Sequence, residues 1–132
     1  MSVTLVQRPE IFVTHEDHEE LTDLAQKALG RAPGAAMLLE EMERATIAPA
    51  GALPAGVLAM NGAVAFEYDG RTYRDFRLVH PANANFAEGR ISVLTPVGAA
   101  LIGLAEGQSI WWPDQDGAIH RLTVTHVGAP AA

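Results

Sequence analysis

A chain of 132 residues with a formal charge of −7 and no cysteine can bury one sizeable core but not two full enzymatic domains. It also has no disulfide framework, zinc knuckle, iron–sulfur site or thiolate nucleophile. Sixteen carboxylates against eight arginines and the single Lys27 argue against a surface that wraps duplex DNA, whose affinity rests on cations replacing condensed counterions. The acidic excess suits a partner that is basic in patches.

The charge divides the chain in two. Residues 1–48 carry nine carboxylates against four cations and residues 49–132 seven against five, while every aromatic residue except Phe12 lies after position 65. Thr14 followed by Asp17 is the pattern of an N-cap with its reciprocal acid, and Glu16, Glu19 and Glu20 fall where the helix dipole favours negative charge. Leu21, Leu24, Ala25, Ala28 and Leu29 recur on one helix face and Gly30 suits the position after the last turn, which predicts a helix over 15–29. After Gly30, Arg31, Ala32, Pro33 and Gly34, a second helix places Leu38, Met42 and Ala45 inward and Glu40, Glu41, Glu43 and Arg44 on the solvated side. A short antiparallel helical hairpin over 1–48 results. The Pro- and Gly-rich stretch from Pro49 to Met60 then reads as a linker over 49–61.

The remainder, 62–128 with a tail at 129–132, reads as strands and one short helix. Ala63–Tyr68, Asp69-Gly70 and Arg71–His80 form a hairpin signature, because Asp-Gly supplies the positive φ of a two-residue turn. A strand at Ile91–Leu94 leads to Thr95-Pro96, a cap residue with proline at the first helical position, and Gly103 ends that helix. Ser109–Trp112, a turn at Asp114-Gln115-Asp116-Gly117 and Ala118–Val127 complete a small antiparallel sheet with one helix on a face. No apolar run is long enough to cross a membrane and the N-terminus MSVTLVQRPE lacks a basic segment leading into an apolar one, so a cytoplasmic location is expected.

Catalytic signals are weak. His15 and His18 stand three apart among Glu16, Asp17, Glu19 and Glu20, one residue short of the H-E-x-x-H spacing and without a visible third ligand, so a solvated first turn and no metal are expected. His80, His120 and His126 read as strand-surface residues. Ser2, Ser92 and Ser109 lie in no nucleophile elbow, and Gly98, Gly103 and Gly107 have neither the spacing nor the lysine of a phosphate loop.

The run Leu78-Val79-His80-Pro81-Ala82-Asn83-Ala84-Asn85, continued by Gly89-Arg90-Ile91-Ser92-Val93-Leu94-Thr95-Pro96-Val97-Gly98-Ala99-Ala100-Leu101-Ile102-Gly103-Leu104 and the turn Glu106-Gly107-Gln108, resembles the C-terminal domain of bacterial Gre factors. Leu78-Val79, Pro81-Ala82 and the unbroken Thr95–Leu104 segment, with Glu40–Ala45 and Met60-Asn61, are similar to the Rnk branch, the regulators of nucleoside diphosphate kinase. The resemblance implies an α+β protein in which a short helical hairpin precedes an FKBP-like antiparallel sheet with one packed helix. It also implies binding to RNA polymerase near its secondary channel, in competition with Gre-type factors, with no cofactor and no sequence-specific nucleic-acid contact.

In Gre factors a long hairpin enters that channel, and acids at its tip help hold the catalytic magnesium. Here the first helix would be only about 22 Å long and the tip, Gly30 to Gly34, has no carboxylate. Asp23 and Glu40 lie on the order of 10 Å back along the arms, too far for ligation of a small, tightly coordinated ion. A non-enzymatic polymerase-binding protein is therefore expected, with Asn83, Asn85, Arg90, Thr95, Pro96 and Gly98 as candidate contacts. For Pro96, Gly98 and Gly103 a purely architectural role stands beside that one. The alternatives are a peptidyl-prolyl isomerase, suggested by the FKBP-like fold alone, and direct binding of nucleoside diphosphate kinase.

Overall fold

A computed structural model describes residues 8–49, 51–114 and 116–130; Ser2, Gln115 of the predicted turn, and Ala131 and Ala132 of the tail lie outside the described residues. Phe12–Thr14 form β1, followed directly by α1 (His15–Ala28). The Thr14 hydroxyl accepts the Asp17 N–H at 3.1 Å and closes the first turn. Asp17 does not complete a reciprocal box: among the described residues no bond joins its carboxylate to the Thr14 N–H, and burial, the larger influence, raises its pKa while the Met60 backbone acts to lower it. Gly30 takes φ +80° after the helix, a conformation available to glycine at little cost. The chain then turns into α2 (Ala35–Arg44), and His18 Nε2 donates to the Met42 carbonyl at 3.0 Å, which sets the start of α1 beside the end of α2.

The hairpin lies against the rest of the molecule. Leu21, Ala25, Ala35, Leu38 and Met42 belong to one hydrophobic cluster with Leu58, Val93, Ala99, Leu101, Ile110 and Val124, and each large side chain buried there contributes roughly 1.5–3 kcal/mol. The predicted solvated side of α2 needs one correction. Glu41 is fully buried, held by the Arg44 guanidinium through two bonds of 2.7 and 3.0 Å and by Arg8 at 2.8 Å. Its position three residues after Leu38 puts it on the inward face, where a carboxylate is tolerated because its oxygens are paired. Arg8 also lies 5.3 Å from the centroid of buried Trp112.

Two strands were not expected from the sequence. β1 pairs in parallel with β2 (Thr46–Ala48), Phe12 opposite Thr46, and frames the base of the hairpin. The main sheet contains β3 (Gly62–Tyr68), β4 (Arg71–Val79), β5 (Arg90–Ser92), β6 (Ser109–Pro113) and β7 (Ile119–Pro130) in the order β5-β4-β3-β7-β6. Asp69 and Gly70, at φ +54° and +82°, make the expected turn between β3 and β4. The sheet is antiparallel except at one edge, where β5 runs parallel to β4. That departure from an all-antiparallel sheet has a covalent cause. Short 3-10 turns at Pro81–Asn83 and Phe86–Glu88 carry the chain across, the crossover a parallel pair requires. Register shifts in both pairings of β3 curl the sheet. The short helix α3 (Pro96–Leu101) has the Thr95 hydroxyl accepting from Gly98 N–H at 3.0 Å, with Pro96 at its start.

Candidate functional site

Two neighbouring concavities collect most of the candidate contacts named from the sequence. The first, a recess of about 450 Å³, is lined by Asn61, Arg77, Val79, Ala82, Asn83, Ala84, Asn85 and Arg90. Parallel pairing of β4 and β5 sets Arg77 opposite Arg90. Arg77 donates to the Asn61 carbonyl, and Arg90 donates through Nε to the Asn83 carbonyl at 2.8 Å and pairs with Glu88 at 3.1 Å. Asn83 and Asn85 are exposed on the turn that walls the recess.

The second is an apolar groove of about 260 Å³ lined by Tyr68, Phe86, Ile91, Thr95, Pro96, Val97 and Asp114. Its outer wall, Phe86, is 57% exposed and packs edgewise on Tyr73 and at a tilt on Phe76. Thr95 and Pro96 thus join this groove rather than the arginine recess. Gly98 joins neither: it is buried, and a Cβ there would overlap the Ser92 carbonyl. Pro96 is buried as well, so these two residues set the shape of the rim.

At the far end of the groove His120 is clamped by Nε2 to Asp114 at 2.8 Å and by Nδ1 to Asp69 at 3.2 Å, with the Tyr68 ring 5.3 Å away. His120 is therefore more than a strand-surface residue. It joins the β3–β4 turn to the β6–β7 turn. Its pKa is raised by the bond to Asp114 and then by that to Asp69, while Asp114 is lowered, first by the His120 bond and then by the N–H groups of Asp116 and Ala118. Tyr68 is pushed up by burial and then by Asp114 and Asp69.

The remaining histidines pair separately. His80, just past the end of β4, meets Glu20 of α1 at 3.1 Å, and His126 meets Glu106 at 3.3 Å. His18 faces the Met42 carbonyl whereas His15 lies 3.9 Å from Glu19, so the two rings have different neighbours. The hairpin tip is fastened down. Gly34 N–H donates to the Leu94 carbonyl at 2.7 Å, and a Cβ on Gly34 would overlap the Leu94 and Thr95 backbone. Arg31 and Pro33 stay exposed beside it. The acids nearest the tip are already paired, Asp23 with Lys27 at 2.9 Å and Glu40 with Arg8 at 3.1 Å.

Sequence reasoning did not reach Arg77, Tyr68, Phe86 or Asp114 as wall residues. Arg77 enters through its pairing with Arg90 across a crossover, which no local pattern announces. The Asp114 turn was visible, but its bond to His120 depends on the register of β6 on β7.

Residues 53–129 match the family model described as transcription elongation factor GreA/GreB, C-terminal, and residues 9–47 match the Rnk N-terminus. The chain is 36% identical over 122 residues to the "Regulator of nucleoside diphosphate kinase" of Escherichia coli K12, covering 90% of this chain and 89% of that protein. The protein of the same name from Shigella flexneri matches with the same identity and coverage. Among solved structures, the prokaryotic transcription elongation factor GreA/GreB from Nitrosomonas europaea superimposes with a TM-score of 0.69 at 31% identity, over 92% of this chain and all of that one. With its curled sheet, its few helices and both halves matched, the chain belongs to the Rnk family of Gre-factor-like regulators.

Proposed function

We propose that this protein binds RNA polymerase at the mouth of its secondary channel, competes there with Gre-type factors and does not stimulate transcript cleavage. The observation that carries this reading is the seat of the hairpin tip: its acid-free turn is bonded to the Leu94 carbonyl of the Gre-type half. A hairpin of this length, packed along α3, has no projecting acidic end with which to bring a metal to the polymerase active site. We take residues 1–48 as the hairpin, 49–61 as the linker and 62–128 as an FKBP-like docking module. Its contact face comprises Asn83, Asn85 and Arg90 on one side and Thr95 on the other, with buried Pro96 and Gly98 shaping the rim from beneath. An effect on nucleoside diphosphate kinase then follows indirectly, through transcription.

Competition binding tests this. Labelled protein should bind core polymerase, be displaced by a Gre factor, and leave the cleavage of backtracked transcripts at its basal rate. Strong stimulation of cleavage would remove the occupancy mechanism, and capture of the kinase in the absence of polymerase would favour direct contact. The apolar groove with Tyr68 and Phe86 on its walls supports one second reading, a peptidyl-prolyl isomerase, which a protease-coupled assay on a prolyl peptide checks; turnover would establish it.

A further inference from the structure

We propose that the recess between β4, β5 and the Pro81–Asn83 turn is an oxyanion site, built to take a carboxylate or phosphate group between Arg77 and Arg90. Like charges placed directly across a strand pair destabilise it, and here the two arginines are register partners on the same face. The chain elsewhere is dominated by carboxylates, so two adjacent cations stand out against the overall field. Glu88 offsets only part of this charge, since its pair with Arg90 is solvated, at 41% and 64% exposure. Among the described residues the arginines paired to a carboxylate are Arg8, Arg44 and Arg90; Arg77 is half-buried without one.

Both guanidinium groups are nevertheless held in place. Arg77 is fixed by the Asn61 carbonyl and Arg90 by the Asn83 carbonyl. A carbonyl orients a guanidinium without neutralising it, and each group keeps further N–H donors in its planar fork. Tying those two loops would need only a neutral amide, so the charges are surplus to that task. Fixed donors on an open recess, with only Arg90 offset and only by a solvated carboxylate, are the preorganisation that bidentate oxyanion recognition uses. The exposed amides of Asn83 and Asn85 add neutral donors at the rim.

The site can be tested on the full chain without polymerase, so it stands or falls separately from the docking reading. Arginine Nε–H signals are followed by two-dimensional NMR during titration with inorganic phosphate and, separately, with glutarate, at constant ionic strength. Saturable shifts are expected at Arg77 and Arg90 and at the Asn83 and Asn85 side-chain amides. Affinity should fall about tenfold in Arg77→Gln, which keeps a donor for the Asn61 carbonyl. Arg71 and Arg121, exposed on the same sheet, serve as controls. Equal shifts at these controls would overturn the site, because ions would then merely gather over a positive strand. So would the lack of saturation at Arg77, or an unchanged affinity in an Arg77→Gln chain that melts like the parent. Preference for phosphate identifies a phosphorylated small molecule as the natural occupant, and preference for glutarate an acidic side chain of a partner; either supports the site.

Discussion

The two ends of the α2 helix are fastened to the molecule by opposite chemistry. At its C-terminal end the buried Glu41 carboxylate draws in Arg44 and Arg8, and Arg44 also donates to the Pro9 carbonyl at 2.7 Å. At its N-terminal end there is no charge, only Gly34 pressed onto the Leu94–Thr95 backbone by one hydrogen bond. An ion cluster is specific in partner but costly to leave half-made. A close backbone contact is specific in shape and fails on the addition of one carbon. The base is thus the part that fixes how the hairpin attaches, and the tip the part that a small change can lift from the rim of the groove.

The largest expected effect comes from unmaking the base. Glu41→Ala leaves Arg44 and Arg8 facing each other over a void and should lower stability by about 3 kcal/mol, measured by chemical denaturation. Glu43→Ala, two residues on and exposed, should stay within about 0.5 kcal/mol. Equal losses for the two would mean that the cluster is not what holds the base. Next in size is Gly34→Ala, expected to cost about 2 kcal/mol through overlap with the Leu94 carbonyl. Its hydrogen exchange should separate the two ends: faster at the amides of position 34 and Ala35, unchanged at Met42. Gly30→Ala is a control, because a Cβ there meets nothing within 4 Å and the penalty of the left-handed backbone, about 1 kcal/mol, is all that remains.

The same contrast explains what could be read from the sequence. Elements closed by neighbours in the chain were legible: α1 from the Thr14 cap, the β3–β4 turn from Asp69-Gly70, and α3 from Thr95-Pro96. Elements closed by distant partners were not. β1 and β2 are three residues each and exist only because Phe12 meets Thr46; so short a strand carries no period. Glu41 was mistaken for a solvated residue because its charge outweighed its spacing, although Leu38, Glu41 and Met42 stand at the i, i+3, i+4 positions of one face. The candidate contacts fared the same way. Asn83, Asn85 and Arg90 share a recess because they are near one another in the chain, whereas Arg77 and Asp114 reach their sites through strand register.

The smallest expected effect tests whether the groove's far end behaves like the hairpin's base, fastened by charge but in water. The folded-state pKa of His120 lies above the usual imidazole value of about 6.5, chiefly because its protonated ring donates to Asp114 and then to Asp69. A group raised on folding contributes stability that is fully present below its unfolded pKa and is lost as pH rises through the folded one. Asp114 works in the other sense. Lowered by its bond to His120, it contributes above the ordinary carboxylate range and loses that contribution as pH falls through its depressed value. The clamp is therefore complete between the ordinary carboxylate and imidazole ranges and opens on the alkaline side. His120→Gln should be less stable than the parent near ~pH 6, and the difference should shrink towards ~pH 9, by urea denaturation at matched ionic strength. A difference that did not change with pH would mean that the ring acts by packing against Tyr68 and not by bridging the two turns.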